Sequence, residues 1–386
     1  MAVETQRSGV SVILAKLEEE YGVDSNPTAA LNGILINDGV ELAPNADKES
    51  RTIIRSTFSP AGSIIGAKYQ DLSIETEVRG GGLEADGKSP KRPDYDPLLQ
   101  CCGMKPTNVM RVTLGATAAF VAGETVTGGT SLATGVIEYI ERDTILVVTV
   151  TAGTFEAAET LTGGTSAATA AISGLTPAIM YTPVTAPPSS QKSTAIYYYK
   201  DSILHKVVGG IGTWSLDAQV GKLGKFTFKV SGLWADPADS VLPTPALTDL
   251  DGLQALAMGT KIGSYTPVCA ALKLDLGAKV EKRNDINALD GLIGLLITGR
   301  EPSGSLDPEV DTLAHFNPWA SWKSGTKARI NGYMGSVAGN RMAFHAGAAQ
   351  YTDLKYGNRV GLANYSLGFT PCQERVGDDE IRLLFF

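Results

Sequence analysis

At 386 residues the chain is long enough for two cores, and 43% hydrophobic with 19% charged residues describes a soluble globular protein rich in turns, with 43 glycines and 19 prolines. A formal charge of -8 excludes a chain built to grip nucleic-acid phosphates, and no apolar run approaches the roughly 20 residues a membrane helix needs. Four cysteines, two of them adjacent at Cys101 and Cys102, give neither a disulfide framework nor a metal-ligand spacing.

Glu4, Arg7, Lys16 and Glu18 to Glu20 leave no secretory apolar region near the start, so the expectation is cytoplasmic synthesis with reduced thiols. Val10 to Tyr21 (VSVILAKLEEEY) reads as a short amphipathic helix closed by Gly22. Ile34 to Leu42 and Arg51 to Phe58 read as strands. Leu72 to Arg79 alternates: Leu72, Ile74, Thr76 and Val78 share one face, and Ser73, Glu75, Glu77 and Arg79 the other, so one face meets a core and the other water. Gly80 to Asp94 is a loop. Its GLEADGKS (residues 82–89) fits a phosphate-cradling pattern, but Pro90 and Pro93 block the helix that should follow, and Glu84 and Asp86 add the wrong charge. Asp96-Pro97 then opens a helix over Leu98 to Cys102.

From Val112 to Leu175 the chain turns rich in Thr, Ala, Gly and Val. Phe120 to Thr134 (FVAGETVTGGTSLAT) recurs as Phe155 to Thr169 (FEAAETLTGGTSAAT), with the strand Thr144 to Thr151 between, and the Gly-Gly pairs suit tight turns. This reads as a small all-β module inserted in a surface loop, serving as spacer or adhesive decoration. Pro183 to Gln191 returns the chain to its main fold. Ala195 to Lys200, Ser202 to Val208, Gly212 to Ala218 and Lys225 to Gly232 follow as a meander with Lys225 and Lys229 on a wet face. Asp236 to Thr248, with three prolines, reads as a linker.

Beyond it, Ala271 to Val280 is a strand. Leu292 to Arg300 (strand), Glu301 to Leu306 (loop) and Asp307-Pro308 opening an acidic helix repeat the plan of Leu72 to Cys102, which suggests a duplicated domain. Lys327 to Met334, Arg341 to Ala346, Gln350 to Lys355 and Ala363 to Thr370 complete it. His345 precedes Tyr365 much as His205 precedes Phe226. The apolar Ile381 to Phe386 should be buried.

Chemistry is not visible. His205, His315 and His345 sit inside or beside predicted core elements, nucleophile-elbow and HExxH patterns are absent, and Trp319 and Trp322 beside Phe316 read as a helix end on a sheet before they read as a sugar platform. No catalytic, cofactor-binding or metal residue is assigned, and no enzyme activity or cofactor is expected.

Ala15 to Pro27 (AKLEEEYGVDSNP), Val78 to Gly82, Ala195 to Gly212, Phe226 to Leu233, Asp285 to Trp322 and Gly377 to Phe386 together resemble the major tail tube proteins of long-tailed bacteriophages, in the version with two tube domains per chain. The resemblance implies a mainly β fold: two tandem β-sandwich or barrel domains, each with a flanking helix, at residues 1–111 with 176–235 and at 249–386. The module at 112–175 departs from the simplest family pattern and falls on the outside, and 236–248 links the halves. It also implies a virion tail protein, assembled in the host cytoplasm into stacked rings around a DNA channel. A two-domain chain would close a pseudo-hexameric ring with three copies, a true hexamer being the alternative. Tail tip and terminator proteins, the tape measure protein and DNA passing without specific binding are the implied partners, with no membrane. Glu75 and Glu77 are the candidate lumen lining, an acidic wall that repels phosphate. The loops from Gly80 to Asp94 and from Glu301 to Leu306 are candidates for contact between rings. Carbohydrate-binding or adhesive β protein is the alternative, and a hydrolase with an unrecognised acid pair comes after it.

Overall fold

The alternation read at Leu72 to Arg79 runs through eight antiparallel strands in the computed structural model, which describes residues 9–116, 118–142, 144–288 and 290–386. Glu4 and Arg7, used above, lie outside the described residues. In spatial order the strands are Glu41–Ser50, Ser63–Glu77, Lys225–Leu233, Ile203–Gln219, Ala271–Asp275, Ser303–Leu306, Leu362–Cys372 and Asn340–Arg359. The first four and the last four follow the same chain order, with the third and fourth strands of each set exchanged. One face buries Leu72, Ile74, Trp214, Leu216, Phe226, Phe228, Leu272, Leu274, Leu367 and Phe369 in a core continuous across both halves. At about 1.5–3 kcal/mol for each large apolar side chain, this face is the main source of stability. Only two short α-helices, Asp96–Cys101 and Pro318–Ser324, lie among the described residues.

Two strands leave this sheet and form the second layer. Ile203–Gln219 first pairs with Thr194–Lys200, which pairs in turn with Ser11–Leu17, and then bends into the main sheet. The register breaks between Val208 and Ile211, where Gly209 adopts φ +63, so the two strands predicted at Ser202 to Val208 and Gly212 to Ala218 are one strand carrying a bulge. Asn340–Arg359 likewise merges two predicted strands: its start pairs with Ala328–Val337 and Arg382–Phe385, its end with Leu362–Cys372. The apolar strand Arg382–Phe385 is buried between Asn340–Arg359 and Thr169–Pro183, as its composition required.

Several expectations are corrected. Val10 to Tyr21 is not a helix: Ser11–Leu17 is a strand between two others, with Ile13, Leu14 and Ala15 all buried because both faces are covered. The glutamate at its end works locally, since the Glu18 carboxylate accepts from Gly209 N at 2.7 Å, Gly22 N at 2.9 Å and Ser193 Oγ at 2.6 Å, pinning the bulge. Arg51 to Phe58 is the exposed tip of the hairpin between Glu41–Ser50 and Ser63–Glu77. Asp307-Pro308 opens no helix, because the Asp307 carboxylate accepts from Ala270 N at 2.7 Å and Ala271 N at 2.8 Å and meets Arg359 at 2.9 Å, holding the chain extended. The helix begins instead at Pro318, capped by the Asn317 side chain. Ala271 to Val280 divides into Ala271–Asp275 and Ala278–Asn284, and the latter pairs with Leu292–Arg300 as a separate hairpin. The proline-rich linker is not free: Ala238–Asp239 pairs with Ile203 and Leu204, and Pro245 packs on Gly33.

The Thr/Gly-rich module grows from a ladder and not from a surface loop. Met104–Leu114 and Thr169–Pro183 run together out of the main body, and a separate core of Val112, Phe120, Val126, Ile137, Val148, Phe155 and Leu161 forms at their far end. Its sequence repeat is a reciprocal brace. The Glu124 carboxylate accepts from Thr165 N, Ser166 N and Ser166 Oγ of the second copy, and Glu159 accepts from Thr130 N, Ser131 N and Ser131 Oγ of the first. Both glutamates are buried. Burial opposes their charge, but these donors prevail and hold both carboxyls below the ordinary glutamate value. The module is also fastened to the second half: Arg329 donates to Ile140 O at 2.8 Å, and the Tyr139 ring lies 4.1 Å from the His345 ring; Arg111 of its supporting ladder meets Glu141 at 2.7 Å.

Phe385→Ala should cost about 3–5 kcal/mol in urea unfolding, since Phe385 is fully buried where three strands meet. The two module glutamates have depressed native pKa values, so their stabilisation is complete above the unfolded glutamate pKa of about 4.3 and is lost as pH falls through the native values. Glu124→Gln should cost about 1.5–3 kcal/mol at pH 7 and flatten the acid sensitivity of hydrogen exchange at Ile137 and Val148.

Candidate assembly surface

The outer face of the eight-stranded sheet is polar, and the cross-strand register arranges its charges. Glu77, Lys225, Asp217 and Lys273 stand side by side on four consecutive strands, followed by Ser305, Gly368 and Asp353 on the next three. Signs alternate along the row, and opposite charges facing each other across strands are mutually favourable. Lys225 Nζ reaches Glu75 at 2.7 Å, and Lys273 Nζ reaches Asp217 at 3.1 Å. The Lys225 ammonium holds the Glu75 carboxyl below its ordinary value, with help from the Asn37 amide and against partial burial. Glu75 and Glu77 therefore do share a solvent-facing surface, but the acidic wall expected from them is corrected to a mixed one, because Lys225 and Lys229 point the same way. A hollow of about 580 Å³ on this face is lined by the same residues, from Glu75 to Ser305.

The two predicted contact loops fare differently. The first is anchored at both ends. Gly80 is buried, donates its N–H to Asn340 Oδ1 at 2.8 Å and lies so near Gly339 that a side chain would not fit. Asp94 is buried against Arg79 at 3.4 Å and accepts from Leu35 N at 3.1 Å, with burial pushing its carboxyl up. The tip, Glu84 to Lys88, is exposed, as are Lys91 and Arg92, and at the tip Asp86 accepts from Lys88 N and Ser89 N, so no phosphate-cradling turn forms. The second segment is no loop beyond its first residues: Glu301 is exposed, but Ser303–Leu306 is a strand and Leu306 is buried between Leu272 and Leu367.

Two features went unread in the sequence. On one side Glu41–Ser50, and on the other Asp353 to Arg359, have no strand neighbour beyond the sheet among the described residues, so the sheet ends in two open edges. Near the first edge, the tip residues Ile53, Ile54 and Phe58 are exposed, as are Ile64 and Ile65 beside them. An apolar trio inside a Ser/Pro stretch after a polar strand was the available signal, and it was taken for a strand.

The candidates for chemistry dissolve into packing. His345 is buried, and burial pushes its pKa down against the pull of Glu374 at 3.6 Å. Burial opposes charge on Glu374, yet the His345 ring and then Arg382 hold its carboxyl down at about 2. His315, expected near the core, is exposed and bonded to Asp311 at 2.6 Å. Trp319 packs on Tyr356 and Tyr365, while Trp322 is half exposed. Among the described residues no group of three or more His, Cys, Asp or Glu is placed to hold a metal, the four cysteines are unpaired, and no helix is long and apolar enough to cross a membrane.

These features define a class: a mainly β structural protein with unfinished sheet edges. Residues 10–353 match the family described as phage tail tube protein, and the chain belongs to that family. A search of curated proteins finds no match. The chain is thus a structural component of the phage tail that assembles with its own kind. Because both partners are partly exposed, Lys225→Gln should lower unfolding stability by less than about 1 kcal/mol, with the difference shrinking further at high salt.

Proposed function

We propose that three copies close a ring, that rings stack into the tail tube, and that the polar face of the eight-stranded sheet lines the channel through which DNA passes. One observation carries this: within a single chain, the edge Ser215 to Gln219 of the first set of four strands is already paired with Ala271–Asp275 of the second. That junction is a template. The matching edge of the second set, Asp353 to Arg359, has no strand on its outer side among the described residues, and neither does Glu41–Ser50, which leads the first set. Joining them between copies repeats the internal junction and removes both edges, the usual hazard of an open sheet. The repeated strand order supports reading the halves as duplicated domains.

Size favours three copies. Eight strands per copy give 24, and strands about 4.8 Å apart tilted by about 40° make a barrel about 48 Å across at the backbone. After side chains are subtracted, such a bore passes one duplex. Six copies would double the width and hold several abreast. A lining of alternating charge lets phosphates pass without the adhesion of a basic wall. We assign contact between rings to the exposed tip Glu84 to Lys88 and to Glu301, with the module outside and tip, terminator and tape measure proteins as further partners.

Negative-stain electron microscopy with native mass measurement tests this. Hollow rings or tubes whose smallest closed unit has the mass of three 40.5 kDa chains are expected. A six-chain ring would reject the stoichiometry, and a monomer at every concentration, even with a tail-tip seed, would reject the assembly.

A further inference from the structure

We infer that the apolar tip of the hairpin formed by Glu41–Ser50 and Ser63–Glu77 docks on the second half of a neighbouring copy, over the end of the helix Pro318–Ser324 and the bend at Gly347. The inference rests on the ring reading above and adds the surface that receives each copy. Its basis is the other hairpin, Ala278–Asn284 with Leu292–Arg300, which is already docked on the first half of its own chain. There the Tyr21 hydroxyl accepts from Leu295 N at 2.7 Å and donates to Gly209 O at 3.1 Å. The Gln191 amide bonds Ile297 in both directions, at 2.8 Å each, and the Ile297 side chain rests on Gly103, just past the helix Asp96–Cys101. Leu292 and Leu295 are buried by this docking site and its surroundings. The receiving surface is therefore a helix end beside a glycine bulge.

The second half carries the same pair of features, and among the described residues no hairpin is docked upon them. Its helix ends at Gly325, and the register of Asn340–Arg359 against Ala328–Val337 breaks between Ala346 and Ala349, around Gly347. A glutamate sits at each bend: Glu18 on Gly209, and Glu374 so close to Gly347 that a side chain there would collide with it. Beside this bend and helix end Trp322 is half exposed and Val376 largely exposed. The first hairpin, for its part, leaves Ile53, Ile54, Phe58, Ile64 and Ile65 uncovered. An uncovered apolar tip and a partly exposed apolar surface whose counterparts cover each other inside the chain make a head-to-tail contact, and repetition of such a contact closes a ring. The occupant is a second copy of this chain.

A photoreactive phenylalanine analogue placed at Phe58 of the full chain, irradiated under assembling conditions and mapped by peptide mass, reads the contact directly. Cross-links between chains to residues 318–326 or 345–350, or to the loop at Val376, are expected. Phe58→Asp should raise the concentration needed for assembly at least tenfold while leaving the circular dichroism and melting of the monomer unchanged, because Phe58 is fully exposed there. Trp322→Asp should also raise that concentration, from the other side. Cross-links confined to other surfaces, or rings from Phe58→Asp at wild-type concentration, would overturn the docking site while leaving the ring intact. Failure of the wild type to form rings would remove the ring reading and this inference with it.

Discussion

The ladder between Ser215–Gln219 and Ala271–Asp275 is the pairing on which the rest of the molecule depends. It makes two sets of four strands into one sheet with one apolar face, so Trp214 and Leu216 of the first half share a core with Leu272 and Leu274 of the second. Strand pairing has a side-chain period of two, and a slip of one residue here would turn the second half's leucines to water and its lysine into the core. The same register sets Asp217 opposite Lys273. Packing and surface charge are therefore decided by a single alignment.

How much of this was legible depended on whether the signal was local. Strict alternation at Leu72 to Glu77 and Lys225 to Gly232 identified strands and their wet faces, and Asp96-Pro97 marked a helix, but Arg79, read onto the wet face, lies past the strand's end and is fully buried against Asp94. Leu292 to Arg300 was also found, although its role in a separate hairpin was not. Val10 to Tyr21 misled because a strand covered on both faces has a continuous apolar run, which periodicity alone does not separate from a buried helix. Asp307-Pro308 carried a sound helix-start signal that lost to tertiary bonds from Ala270 and Ala271. The Gly209 bulge looked like a strand boundary because glycine marks both. Of the candidate site, the residues on the polar face were readable one strand at a time, but their sum was not: Lys225 had to be seen beside Glu75 before the acidic wall became a neutral ladder.

The net charge teaches the same lesson. A value of -8 belongs to the whole surface, and the one face proposed to meet DNA carries charges of both signs in alternation. Bulk charge bounds what a chain can bind; register decides what a given face presents.

The placement of Arg382–Phe385 has a consequence for synthesis. Its partner segment, Ile179 to Tyr181, leaves the ribosome about 200 residues earlier, which at about 5–20 residues per second is a delay of roughly 10–40 s. The Thr/Gly-rich module has its core complete by then and is free to fold on its own. The second layer is not: the inner side of Thr169–Pro183 waits for Arg382–Phe385, a strand that has yet to be made. The body of this protein closes late, so its order of appearance on the ribosome runs from decoration to scaffold.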